Sequence, residues 1–274
     1  MKHLTLANDK TIPALGLGVY KAKDGNEVQQ AIEWALAAGY RSIDTAAVYG
    51  NEEGVGAAIR ESQSTQQIDR SEIFLTTKIW NSDLREDNVE QAFEDSLQRL
   101  QQDYVDLLLI HWPVAGKFNA AWKHFERFYE QGRAKAIGVS NFMPEHLESL
   151  LAEARIKPML NQIEFHPYLQ QRATVDLCRR EGILVEAWSP LMQGNLNDAT
   201  LSQIAQQHGK SNAQIILRWN IQKDIVTIPK STNQGRIQEN IDVFDFELSP
   251  EDMASIDALN RDQRIGPDPY TFSF

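Results

Sequence analysis

The stretch Gly39-Tyr40-Arg41-Ser42-Ile43-Asp44-Thr45-Ala46-Ala47-Val48-Tyr49-Gly50-Asn51-Glu52 holds the unit from which this chain is built. Upstream of it, Val28, Ala31, Ile32, Ala35 and Leu36 recur at i, i+3, i+4, i+7 and i+8, the spacing of a helix with one buried face. Gly39 ends that helix, and Arg41 to Asp44 reads as a short buried strand. Asp44 and Tyr49 then fall on the loop that leaves the strand. Taken alone, an aspartate and a tyrosine on a loop are ordinary surface chemistry.

The same unit recurs along the chain. Further strands are expected at Ile73 to Thr77, Val105 to Ile110, Ala136 to Val139, Leu160 to Ile163, Leu184 to Ala187 and Ile225 to Ile228, with a weaker eighth at Val243 to Phe246. Val105-Asp106-Leu107-Leu108-Leu109-Ile110 is too continuously apolar for a half-exposed sheet and suits a parallel strand covered on both faces. Helical spacing separates these strands, including Val89 to Leu100 and two segments near Leu201 to Gln207 and Ala213 to Ile221. A last helix is capped by Ser249 with Pro250 in its first turn. Eight strands alternating with helices predict an α/β fold of the (β/α)8 TIM-barrel type with extra helices. Leu4 to Leu6 and Thr11 to Pro13 predict a β-hairpin covering the barrel bottom, and Gly16-Leu17-Gly18 reads as a tight loop or a close approach to a ligand. No Pro/Gly/Ser linker divides the chain, so residues 1–274 are expected to form one domain.

Composition narrows the function. A formal net charge of -11 repels phosphate backbones and anionic lipid, which argues against nucleic acid and membrane surfaces as partners. Any anion bound here needs a local basic cluster. The single cysteine, Cys178, excludes an internal disulfide and reads as a buried inert thiol. With no apolar run long enough to span a bilayer and no signal-like N-terminus, the expectation is a cytoplasmic protein.

Barrel chemistry belongs at the carboxyl ends of the strands. Those ends are Asp44, Lys78, His111, Ser140-Asn141, Gln162 with Glu164 beyond, Trp188-Ser189 and Lys230-Ser231. Asp44, Lys78 and His111 lie roughly 33 residues apart, one βα unit each, so with Tyr49 they converge on one rim. A tyrosine is a poor acid near neutrality, but a neighbouring ammonium favours its phenolate and eases proton donation. An aspartate keeps that lysine charged, and a neutral imidazole can hydrogen-bond a substrate carbonyl oxygen or relay the proton. Singly, each residue is more ordinarily a structural ion-pair member or a core histidine; together they fit protonation of a forming oxyanion. Ser140, Asn141 and Gln162 suit a carboxamide, Trp188 offers a face for stacking, and Lys230-Ser231-Thr232 with Arg236 offers a phosphate site.

These motifs resemble the aldo-keto reductases over nearly the whole chain: Gly39 to Ala46 with Tyr49 and Asn51-Glu52, Val105 to Pro113, Gly138-Val139-Ser140-Asn141-Phe142, and Ile228-Pro229-Lys230-Ser231 with Arg236, Glu239 and Asn240. The resemblance implies a monomeric (β/α)8 reductase that uses NADPH without a Rossmann domain. The activity it implies is reduction of an aldehyde or ketone by hydride transfer from the nicotinamide. By carry-over, Tyr49 is the general acid, Lys78 and Asp44 tune it, and His111 orients the carbonyl. The same carry-over puts Ser140, Asn141 and Gln162 on the carboxamide and Trp188 on the nicotinamide ring, with Ser189 and Leu191 beside it. Lys230, Ser231, Thr232 and Arg236 meet the 2′-phosphate, and Glu239 and Asn240 the adenine side. No metal is implied.

Where the family often has tyrosine, this chain has Trp188. The Val114 to Phe118 connection is much shorter than the loop of mammalian members, and the short tail from Asn260 to Pro269 resembles the bacterial branch of 2,5-diketo-D-gluconate and glyoxal or methylglyoxal reductases. They imply an open mouth walled by Tyr20, Trp80 and Trp112, suited to small or medium carbonyls. Two alternatives use the same residues: an NADPH-sensing regulatory protein, and a lyase or isomerase with Lys78 as a Schiff base.

Overall fold

The computed structural model describes residues 1–272. Two short strands, β1 (His3–Thr5) and β2 (Thr11–Pro13), pair antiparallel as a hairpin. Eight more strands follow: β3 (Leu17–Gly18), β4 (Ser42–Asp44), β5 (Phe74–Ile79), β6 (Leu107–Ile110), β7 (Ile137–Ser140), β8 (Leu160–Glu164), β9 (Leu184–Trp188) and β10 (Val226–Thr227). They form one sheet in chain order, every neighbouring pair parallel. The outer helices are α1 (Asn26–Ala37), α2 (Glu52–Thr65), α3 (Asn81–Arg85), α4 (Val89–Leu100), α5 (Phe118–Glu130) and α6 (Pro144–Glu153). They continue as α7 (Arg172–Glu181), α8 (Ala199–His208), α9 (Asn212–Gln222), α10 (Gln234–Ile241) and α11 (Pro250–Asp257).

The chain differs from its sequence reading at the seam. Val243 to Phe246 is not a strand; it lies in a connection after α10. Side chains of α9 take the carbonyls at its start instead of a ladder: Gln214 Nε2 donates to the carbonyls of Glu239 and Asp242 just before it, and Arg218 Nη1 to that of Val243. The missing strand is β3, drawn from the Gly16 to Gly18 stretch read as a loop. Gly16 N donates to Thr227 O at 2.9 Å, Thr227 N to Ala14 O at 3.0 Å and Gly18 N to Pro229 O at 3.2 Å, which joins the first strand to the last and closes the ring. The glycine is required there, because a side-chain carbon on Gly18 would fall 2.9 Å from Ile228 O. The expectation for this motif is a tight loop or a close approach to a ligand; the close approach seen is to another strand.

Burial follows the expected division. Leu107, Leu108, Leu109 and Ile110 are all buried, each contributing about 1.5–3 kcal/mol relative to exposure. The hairpin sits at the amino ends of the strands: Asn8 Nδ2 donates to Lys135 O just before β7, and Lys2 Nζ to Ile221 O just before β10. The opposite rim is thereby left for chemistry. Among the described residues, no helix is long and apolar enough to cross a membrane.

Candidate active site

Three neighbouring strands bring the polar residues together. Asp44 ends β4 and Lys78 lies inside β5, which runs two residues beyond the expected end at Thr77. His111 directly follows β6, and Tyr49 closes a single 3₁₀ turn, Ala47–Tyr49, beyond β4. Lys78 is fully buried, and its Nζ donates to Asp44 Oδ1 at 2.6 Å, Thr45 O at 2.8 Å and the Tyr49 hydroxyl at 3.4 Å. An ammonium has three donors, so all three are assigned. Burial alone would lower the lysine's pKa, but Asp44, Tyr49 and Glu186 outweigh it and raise it. The group is therefore a held cation.

Burial raises the Tyr49 hydroxyl to about 12, while Lys78 pulls against that rise without cancelling it. Without a ligand the phenol is thus a weaker acid than the charge pattern alone suggests. It is fully protonated near neutrality. His111 is nearly buried and its pKa is well below the usual histidine value, first through burial and then through the Lys78 charge. The ring is neutral, with Nδ1 unpartnered. It meets Tyr49 edge-on at 5.7 Å between ring centres and Trp80 at 4.9 Å, and Tyr20 packs on Tyr49 at 4.9 Å.

Beneath this group lies a carboxyl that is not at a strand end and so is absent from the expected rim. Glu186 is buried in the middle of β9, and Gln162 Nε2 donates both to its Oε2 at 2.6 Å and to Asp44 Oδ2 at 2.8 Å. Gln162 and Asp44 stand on strands four apart in a ring of eight, so the bond crosses the barrel interior. Burial, then the Asp44 charge, pushes the Glu186 carboxyl up to about 8. The available signal was positional: Leu184, Glu186 and Trp188 alternate onto one face, and a glutamate within an apolar strand that shares its face with Trp188 points to the interior.

The carboxamide-type residues are grouped but partly committed to one another. Ser140 Oγ donates to Gln162 O, and Asn141 Nδ2 donates to His111 O and Ser140 Oγ. Trp188 Nε1 donates to Asn141 Oδ1 at 2.8 Å. With both Gln162 amide protons directed at carboxylates, what that side chain can offer a ligand is its Oε1 acceptor. Ser189 and Leu191 are half-buried just beyond Trp188. At the end of β10, Ser231 Oγ accepts from Asn233 N, and Asn233 Oδ1 caps α10 by accepting from Arg236 N. Lys230, Arg236 and Glu239 are exposed, Thr232 is half-buried and Asn240 is buried. The two cations on an acidic chain suit an anionic group.

The mouth is less open than the short tail suggested. Phe272 stacks on Trp112 at 4.1 Å and 20° and meets Trp80 edge-on at 6.3 Å, so the tail completes an aromatic wall. Trp112 is nearly buried, whereas Tyr20 remains exposed.

A parallel eight-stranded barrel with a buried Asp-Lys-Tyr group and a neutral histidine on its carboxyl rim defines an oxidoreductase of the barrel-reductase class. Residues 14–261 match the model of the Aldo/keto reductase family, and the chain belongs to that family. It is 55% identical over 270 residues to the glyoxal reductase of Bacillus subtilis (strain 168), covering 98% of this chain and 96% of that one. It is also 55% identical to an uncharacterized oxidoreductase, YtbE, of the same organism, covering 98% and 97%. The crystal structure of a Bombyx mori aldo-keto reductase (AKR2E4) in complex with NADP superposes with a TM-score of 0.91 at 39% identity, covering 97% of this chain and 95% of that one.

Proposed function

We propose that this protein, as one monomeric barrel domain, uses NADPH to reduce small and medium aldehydes and ketones, such as methylglyoxal or keto-sugar acids, to alcohols. The observation that carries this reading is the Lys78 ammonium, held by Asp44 Oδ1 and Thr45 O with its remaining donor on the Tyr49 hydroxyl. When bound, NADPH supplies a hydride to the carbonyl carbon. Tyr49 donates its proton to the oxygen, and the fixed Lys78 charge stabilises the phenolate left behind. Neutral His111 orients the carbonyl oxygen by a hydrogen bond.

The donor set suits the nucleotide. Trp188 offers its indole to the nicotinamide, and Ser140, Asn141 and the Gln162 acceptor suit the carboxamide, flanked by Ser189 and Leu191. Lys230, Ser231, Thr232 and Arg236 suit the 2′-phosphate, and Glu239 and Asn240 the adenine end. Tyr20, Trp80 and Trp112, with Phe272, form a wall sized for a small carbonyl. The glyoxal reductase relative favours a dicarbonyl. Schiff-base chemistry at Lys78 is disfavoured because a held ammonium has no lone pair to attack with. Mixing the protein with NADPH and methylglyoxal, 4-nitrobenzaldehyde or 2,5-diketogluconate is expected to deplete the absorbance of the reduced nicotinamide. Cofactor binding without multiple turnovers on any of them would instead favour the cofactor-sensing alternative.

A further inference from the structure

Glu164, the last residue of β8, is wholly buried yet takes no part in the network under Tyr49. Its carboxylate accepts from the backbone of the C-terminal tail: Ile265 N donates to Oε1 at 2.7 Å, and Gly266 N lies 3.3 Å from Oε1 and 3.1 Å from Oε2. His166 Nε2 stands 3.0 Å from Oε1. Because His166 Nδ1 has no partner, the ring proton belongs on Nε2, facing the carboxylate. Arg264 Nη1 lies 3.9 Å from Oε2, and Arg264 Nη2 donates to Gln171 Oε1, whose Nε2 donates back to Glu164 O. A buried carboxylate is costly unless its oxygens are satisfied, and here most of the satisfaction comes from two tail amides.

What this fastening fixes is an indole. A side-chain carbon at Gly266 would fall 2.3 Å from Trp188 Cη2 and 3.1 Å from Cζ3. The tail backbone therefore lies directly on the far end of the Trp188 ring, while the near end is held by the Nε1 bond to Asn141. The ring is pinned at both ends by elements that meet only in the folded barrel.

We propose that Glu164 and Gly266 are positioning residues that set the Trp188 indole for the nicotinamide, with the tail as a clamp; the proposal rests on the reading that Trp188 stacks on that ring. Glu164 holds the tail, the tail holds the indole, and the indole receives the cofactor. Neither residue touches the reacting atoms. The clamp acts on cofactor affinity and on the fit of the nicotinamide, not on proton transfer at Tyr49.

The test is NADPH affinity, read from the nucleotide's own fluorescence on titration into wild type and variants. Gly266→Ala is expected to raise the NADPH Kd about tenfold, because the indole must shift to admit the added carbon. In a Trp188→Phe background, which lacks the far end of the indole, the same substitution is expected to change Kd less than about twofold. Glu164→Gln, which alters the tail's anchor without adding bulk, is expected to raise Kd about fivefold. An unchanged Kd in Gly266→Ala, or the same factor in both backgrounds, overturns the clamp alone. An unchanged Kd in Trp188→Ala overturns the stacking reading and the clamp with it.

Discussion

At the scale of single residues, the site is governed by two opposing effects on one phenol. Burial raises Tyr49 to about 12 and Lys78 pulls it down, so near neutrality the proton is present and its loss is eased by a fixed cation 3.4 Å away. Tyr49→Phe is expected to lower kcat by about 10²–10⁴ with NADPH affinity nearly unchanged, measured by steady-state turnover and nucleotide titration. Comparable turnover in that variant would remove the tyrosine from the acid role. The pH dependence has a definite sign. The donor is the protonated phenol, so reduction is full below the Tyr49 pKa and falls as pH rises through it. Removing the cation that lowers that pKa moves the fall upward. Lys78→Met should therefore shift the alkaline limb of the kcat profile to higher pH while reducing kcat itself. A shift to lower pH would contradict the assignment of Lys78.

At the scale of elements, the barrel depends on a seam only a few residues long. β3 and β10 each hold two residues, and they meet where Gly18 N donates to Pro229 O and where a side-chain carbon on Gly18 would fall 2.9 Å from Ile228 O. Two effects compete in Gly18→Ala. Alanine is the better strand residue by about 0.5–1 kcal/mol, because glycine loses more freedom on folding. Overpacking against backbone costs about 1–3 kcal/mol and has no flexible side chain to absorb it. The steric cost wins, and the variant is expected to unfold at lower urea concentration than wild type. A raised midpoint would show that the seam relaxes freely. Val243 to Phe246 fails to form the eighth strand for a related reason. Val243, Phe244 and Phe246 carry the right residue types, but Gln214 and Arg218 occupy the nearby carbonyls. Gly16-Leu17-Gly18 looks like a turn because strand-forming side chains are absent, and only the partner strand supplies the reason.

At the scale of the whole molecule, an acidic protein must collect an anion at one place. Its net charge of -11 opposes a phosphorylated dinucleotide, and the exposed Lys230 and Arg236 that follow β10 are the cations proposed to offset it. A charge-assisted contact to phosphate contributes about 1.5–3 kcal/mol. Arg236→Ala is accordingly expected to weaken NADPH by roughly 10–100-fold. NADH, which lacks the 2′-phosphate, should change far less, as calorimetric titration of the two cofactors would show. Equal losses for both would refute the 2′-phosphate assignment.

Residue order by itself determined the alternation of strand and helix, the barrel class, and the convergence of Asp44, Tyr49, Lys78 and His111. These follow from local periodicity and from strand direction, which puts every strand's carboxyl end on one rim. Tertiary structure alone decided the rest. Which glycine segment closes the ring, that burial outweighs Lys78 at Tyr49, that Gln162 bridges Asp44 to Glu186 across the interior, and that Phe272 walls the mouth are all contacts between residues distant in sequence. The physical reason is common to them. Periodicity fixes which way a side chain points, whereas desolvation, hydrogen-bond partners and close approach depend on what the other strands bring to the same point.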